Sequence, residues 1–253
     1  MAKVGTIADT NVVPLAQLRQ EIIALSNETG KSVNDLAEDV YNAISAGQDT
    51  ADAVGFVENA TKLATAGFAE SGQAVDVLST ILNAYGMEAS KVTDVSDMLI
   101  QIQNKGKTTV AELSSSMGKI IPTANANNVA LEQLGAGYAI LTSKGIATAE
   151  ATTYMNGMLN ELGKSGSQTD KILRSKTGKS FSELMKSGYS LADVLQIVQE
   201  DAEGSGKSLS DMFSSSEAGK AALSLMSDGV DSFNESVQGM LDSCGATEEA
   251  YAK

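Results

Sequence analysis

The sequence predicts an all-α protein of stacked helical hairpins, solenoid-like or a multi-helix bundle, with helices of about 15 residues separated by Gly and Asn turns. Three observations predict it. Candidate helix stops at Gly47, Gly67, Gly86, Gly106, Asn127, Gly145 and Gly163 follow one another at intervals of 18 to 21 residues, the length of one helix plus one turn. Between the stops, apolar residues recur at spacings of three and four, and no segment sustains the alternation of a half-buried strand. Finally, 2 Pro against 23 Gly suits helices punctuated by glycine turns.

Residues 1 to 13 read as an irregular arm. Pro14 is placed as the first residue of a helix that runs to Thr29 and stops at Gly30, since proline loses nothing where the first helical N–H groups are unpaired anyway. Ser32 with Asp35 caps the next helix, whose Val33, Leu36, Val40 and Ile44 share one face. The same stripe recurs in Val75, Leu78, Ile81, Leu82 and Tyr85 after Ser71. Thr109 with Glu112 forms a capping box, opening a helix expected to break at Pro122 and at the Asn125 to Asn128 cluster. A further helix carries Leu131, Leu134, Tyr138 and Leu141 and stops at Gly145. Gly135, Gly137 and Gly157 fall inside helices, where glycine costs about 1 kcal/mol against alanine. Close backbone approach, a required bend or easy unravelling would each account for them. Ser190 with Asp193 caps a helix bearing Leu191, Val194, Leu195 and Val198, helices follow over 216–227 and 230–243, and the tail from Gly245 is expected to fray.

Composition sets the character of the core. Hydrophobic residues make up 42% of the 253, aromatics only 4%, with no Trp and ten Met, so the interior is aliphatic, methionine-rich and plastic. The net charge of −14 repels polyanions, which argues against specific nucleic-acid binding. It is unevenly spread: residues 1–60, 61–163, 164–186 and 187–253 balance at −6, −3, +4 and −9. The positive island coincides with a Gly and Ser rich patch where the repeat loses its beat. The expected organisation is therefore an arm over 1–13, a helical repeat domain over 14–163, a basic linker over 164–188 and a smaller helical domain over 189–253. Cys244 is the only cysteine, which forbids an internal disulfide and suits a cytoplasmic folding compartment. No signal-like segment opens the chain, and no apolar run approaches the roughly 18 residues of a membrane span.

Chemistry is scarce. Gly-Lys-Ser occurs at 30–32, 178–180 and 206–208, the end of a phosphate-binding loop. That loop also needs a glycine at the positions held here by Leu25, Leu173 and Asp201. Each triplet is instead accounted for as a stop, an exposed cation and a cap. With no histidine, imidazole catalysis and His metal sites are excluded. The acidic groups Glu38 with Asp39, and Glu200 with Asp201 and Glu203, read as solvated polar faces, and Cys244 as a buried or idle thiol. No catalytic, cofactor or metal residues are assigned, and an enzyme is not expected.

Three long phrases carry a resemblance: VGTIADTNVVPLAQLRQEIIALSNETGKSVNDLAEDVYNAISAGQDT, LATAGFAESGQAVDVLSTILNAYGMEASKVTDVSDMLIQIQNKGKTTVAELSSSMGKIIPTA and KTGKSFSELMKSGYSLADVLQIVQEDAEGSGKSLSDMFSSSEAGKAALSLMSDG. In this order, they resemble the core region of tail tape measure proteins of long-tailed bacteriophages and prophages. The resemblance implies a structural virion protein in the tail lumen, assembled in the bacterial cytoplasm, that sets tail length, templates the tail tube and leaves ahead of the DNA. Tail tube and tail-tip proteins and tail assembly chaperones would be its partners. Such proteins are generally several times longer, so the expectation is an excised domain or a truncated prophage product. Breaks every ~20 residues make it a folded module and not the rod of about 380 Å that one continuous helix would form. The alternative is a helical-repeat module that docks a tail-tip, chaperone or host envelope protein.

If the Gly-Lys-Ser triplets are helix punctuation, Lys207→Ala leaves the circular dichroism spectrum unchanged, and neither protein binds ATP with magnesium in calorimetry. Saturable binding lost in the variant would overturn that reading.

Overall fold

The computed structural model describes residues 1–253 and contains fifteen α-helices, three short 3₁₀ turns and no strand. The helices divide between two compact units. Unit 1 comprises Met1–Ile100, Thr109–Ser115 and Gly245–Lys253, and unit 2 comprises Gln101–Thr108 and Ser116–Cys244. The division passes through two helices, not through the basic stretch 164–188.

Unit 1 is built from α1 (Leu15–Thr29), α2 (Val33–Ser45), α3 (Ala53–Ala66), α4 (Ser71–Tyr85), the first part of α5 (Val92–Lys105), most of α6 (Val110–Met117) and, from the end of the chain, α15 (Ala246–Tyr251). Each of α1, α2 and α3 packs on the helix that follows it, as a hairpin stack requires, and α15 packs on α3. Leu18, Ile22, Leu36, Val40, Phe56, Leu63, Leu78 and Ile81 are fully buried or nearly so. The arm is anchored by Val4, itself fully buried in a 3₁₀ turn. Pro14 stands one residue before α1 rather than within it. The tail from Gly245 forms α15 instead of an irregular end: the carboxylate of Asp97, 2% exposed, accepts from the Gly245 and Thr247 N–H groups at 2.7 and 2.8 Å and so caps this helix.

Unit 2 contains α7 (Ile121–Ala126), α8 (Leu131–Ser143), α9 (Thr148–Gly163), α10 (Gln168–Thr177), α11 (Phe181–Lys186), α12 (Leu191–Gly204), α13 (Ser216–Met226) and α14 (Gly229–Leu241). Here α9 packs chiefly on α13 and α8 on α14, pairings distant in sequence, so this unit is a multi-helix bundle rather than a nearest-neighbour stack. The 20-residue beat fails between Gly106 and Asn127, where one expected helix is two short ones, α6 and α7. Pro122 does not break a helix but sits in the first turn of α7, where its missing N–H is harmless. Residues 164–188 are not a linker. They fold as α10 and α11, burying Leu173, Phe181 and Leu184 completely while their cations face outward.

The stops are of two kinds. Gly47, Gly86 and Gly145 have φ of +98°, +62° and +88°, the left-handed close of a helix. Gly67, Gly106 and Gly163 do not adopt positive φ; the first has φ −97°. Each instead leaves no room for a Cβ, which would overlap Val110, Thr142 and Asn127 respectively. After Gly67 the left-handed residue is Phe68, at φ +54° and 78% exposed. The glycines inside α8 answer to close approach as well. A Cβ on Gly135 would lie 3.1 Å from Ile102 Cδ1, and one on Gly137 2.6 Å from Met155 Sδ.

One acidic residue departs from the expected solvated face. Asp39 on α2 is 5% exposed, its Oδ2 has no hydrogen-bond partner, and it faces Ser71 and Gly72 at the start of α4. Burial pushes its carboxyl above the ordinary range, Ser71 and Lys31 oppose that, and the neighbouring Asp35 and Glu38 reinforce it.

Three substitutions test this packing. In chemical denaturation, Phe68→Gly raises the unfolding free energy by about 1 kcal/mol, because a bulky left-handed residue is relieved at no cost in burial. Gly67→Val lowers it by more than about 2 kcal/mol through overlap with Val110; opposite signs would show that the turn is wrongly drawn. For Asp39 the folded-state affinity for the proton exceeds the unfolded one, so its favourable contribution is full below about pH 4 and lost as pH rises through its elevated folded value. Asp39→Asn is therefore more stable than the wild type at pH 7, and the difference shrinks on acidification; a gap that widens toward acid would mean the carboxylate is stabilised in place.

Candidate functional site

Unit 1 holds an open cleft of about 680 Å³ lined by residues of two turns. One wall is the turn from α2 into α3. There Gly47 N–H bonds the Ile44 carbonyl and Gln48 N–H the Ala43 carbonyl, both at 3.0 Å. The other wall is the turn from α4 toward α5, where Gly86 N–H bonds the Asn83 carbonyl at 3.3 Å and Met87 N–H the Leu82 carbonyl at 2.8 Å. Both are the paired closing bonds of a helix ended by left-handed glycine, so two of the six glycine stops give this cleft its walls. Asn83 Nδ2 donates to the Ala46 carbonyl at 2.7 Å and ties one wall to the other. Gly47 itself lines the cleft, whereas Gly86, Gly67, Gly106, Gly145 and Gly163 do not.

Asp49, Asp52 and Glu88 are exposed along the rim. Asp52 precedes α3 and Glu88 precedes the 3₁₀ turn Ala89–Lys91, yet neither side chain makes the cap bond its position offers. The neighbouring cation, Lys91, is held by Asp94 at 2.9 Å. Phe56 and Val92, both buried, and half-buried Met87 also line the cleft. Gln48, 7% exposed, lines the same space. Unit 1 as a whole carries −11 of the net charge of −14. The cleft thus brings together three carboxylates, an amide and the side chains of Phe56, Met87 and Val92.

The other sequence candidates do not converge on it. Glu200 and Glu203 accept from Gln196 and Gln199 at 3.1 and 2.8 Å, and Asp201 pairs with Lys176 at 3.1 Å, so each of the three acids has a local partner within unit 2. Gly30, Gly178 and Gly206 have φ of +72°, +75° and +70°. After them, Ser32 and Ser180 cap α2 and α11, and Ser208 caps a 3₁₀ turn. Cys244 is exposed rather than buried. Sequence reading missed the long-range carboxylates. Glu161 of α9 accepts from the Ser214 and Ser215 N–H groups at 2.6 and 2.9 Å and from Ser215 Oγ at 2.8 Å. Burial disfavours its charge, but these donors outweigh burial and hold its carboxyl below the usual range. A local cap announces itself by an acid three residues on; Asp97 and Glu161 cap elements some 150 and 54 residues away, and no spacing reveals them.

Comparison with known proteins bears on the whole chain. Residues 19–226 match the model of the family described as phage-related minor tail protein. All of this chain aligns with the probable tape measure protein of Clostridium phage phiCD119, 38% identical over 263 aligned positions. A stretch covering 65% of it aligns with the tape measure protein of Pneumococcus phage Dp-1 at 23% identity over 164 positions. The aligned parts amount to 28% and 14% of those two proteins' own lengths. No solved structure matches, and no helix is long and apolar enough to cross a membrane. A match over residues 19–226 together with full-chain similarity to a tape measure protein settles the kinship: the chain belongs to the phage-related minor tail protein family.

Proposed function

We propose that this chain is a folded structural module of a phage tail tape measure protein, acting in tail assembly and length determination and not in catalysis. The observation that carries the reading is the alignment of the entire chain, at 38% identity, with a probable tape measure protein. The fold supports a structural role, since its chemistry is packing: helices of at most 16 residues, closed by glycines and long-range caps around two cores. On this reading the module works in the virion, within the tail lumen, after assembly in the bacterial cytoplasm. Its partners are tail tube and tail-tip proteins and tail assembly chaperones. The acidic cleft of unit 1 favours a second role compatible with the first, the docking of a tail-tip, chaperone or host envelope protein.

Deletion in the parent phage tests the module against an extended tape. Removing residues 87–106 takes away α5, with buried Val95, Leu99, Ile100 and Ile102 and the Asp97 that caps α15. The expected outcome is few or no tails in electron micrographs of lysates. An equal deletion in a rod-like coiled stretch of the parent yields viable tails shortened by up to about 30 Å, at 1.5 Å per residue. Abundant tails from the 87–106 deletion, shortened in step, would make this segment extended tape.

A further inference from the structure

We propose that α15 is a releasable strap: it leaves unit 1 by local opening while the cores stay closed, and the carboxylate of Asp97 is what holds it down. The proposal goes beyond the tape measure reading and does not rest on it. The path of the chain gives the strap its place. Gly245–Lys253 is the one part of unit 1 that follows all of unit 2 in sequence, so the last helix returns to a body the chain has already left. Gly245, at φ +84°, turns the chain into α15, a conformation glycine adopts at little cost.

What holds α15 is polar. Thr247 is the one residue this helix buries, whereas α3 buries Phe56, Val57 and Leu63 among others, so the apolar burial that anchors other helices is nearly missing here. Asp97 gives both of its hydrogen bonds to the start of α15, accepting from Gly245 N–H at 2.7 Å and from Thr247 N–H at 2.8 Å. Lys62 of α3 reaches Glu248 at 2.9 Å, but it is shared with Glu58 at 3.1 Å and Glu248 is largely exposed, so this pair contributes little. Once undocked, a helix of six residues has no stability of its own. Thr247 supplies the independent sign that the docked state is poised to open. It is 2% exposed and its hydroxyl has no hydrogen-bond partner, a buried group that opening returns to water. The dependence runs one way: α15 needs Asp97, but α5 is fixed by its own buried Val95, Leu99 and Ile100 and stays in place on release.

The test is amide hydrogen exchange on the full 253-residue chain at neutral pH, read in nitrogen-15 spectra across sub-denaturing guanidinium and corrected for intrinsic rates. In the wild type we expect the Thr247, Glu249 and Ala252 amides, which bond Asp97, Gly245 and Glu248, to exchange about tenfold or more faster than the Leu63 amide of α3. Their rates should be flat in denaturant while that of Leu63 climbs, the mark of local against global opening. Ile81→Val, a core change in unit 1, should speed Leu63 by about threefold or more and leave the α15 amides within about twofold. Asp97→Asn should speed the α15 amides by about tenfold or more. Thr247→Val, which removes the unpaired hydroxyl at constant shape, should slow the Glu249 and Ala252 amides by about threefold or more. Exchange of the α15 amides in step with Leu63, whether in denaturant or in Ile81→Val, would overturn the proposal, because the helix would then open only with its unit. Rates that stay put in Asp97→Asn, or that do not fall in Thr247→Val, would equally overturn it.

Discussion

Close approach of helices at small residues is the constraint on which this structure rests. A chain with 4% aromatics and no Trp cannot fill wide gaps between helices, so its cores close by drawing backbones together. In α8 the face around Gly135 and Gly137 admits Ile102 and Met155 to distances a side chain would forbid, and Leu131, Leu134, Tyr138 and Leu141 are buried on the same helix. Burial nearly all round makes α8 the centre of its unit. The roughly 1 kcal/mol that each internal glycine costs in helix propensity is offset by the dispersion contacts and buried area that approach permits.

Short helices create a second demand. Each end leaves several backbone groups without intrahelical partners, and fifteen helices in 253 residues multiply the ends. Many are met locally, by Ser or Thr caps and by glycine closures. Others are met from a distance, and those long-range bonds do more than satisfy a donor. Asp97 on α5 holds the start of α15 on unit 1, and Glu161 on α9 holds the start of α13, the helix on which α9 principally packs. A cap supplied across the fold couples the formation of one helix to the placement of another, which makes each unit cooperative.

Most of the fold was legible because its signals are local. Helix class, the stripes of α2, α4, α8 and α12, and the boxes at Thr109 and Ser190 follow from spacing alone, and the box at Thr109 forms with bonds of 3.0 and 3.2 Å. Where the reading differs from the structure, the deciding interaction is tertiary. Gly67 and Gly86 look alike in sequence, yet one is glycine for the sake of Val110 and the other for its φ. Residues 164–188 read as a linker from their six cations, but Leu173, Phe181 and Leu184 on the opposite faces bind them into a core. Asp39 looks solvated until the start of α4 is laid over it. The cleft had a partial sequence signal in Gly47 and Gly86; the pairing of those two turns is a product of the fold.

Under the proposed role, this packing decides what the segment contributes to a length-measuring protein. An extended helix converts residues into reach at 1.5 Å each, so its length is read off directly. The longest helix here has 16 residues, about 24 Å, and the chain turns back after it to bury its apolar face. Adding or removing a turn in such a unit alters a core before it alters a distance. The concentration of charge points the same way, since unit 1 holds −11 and unit 2 the remaining −3, an asymmetry that a uniform ruler has no use for and that a recognition element needs. The physical reading is of a fixed body on the tape, suited to holding a partner at one place while the extended regions of the parent set how far away the other end lies.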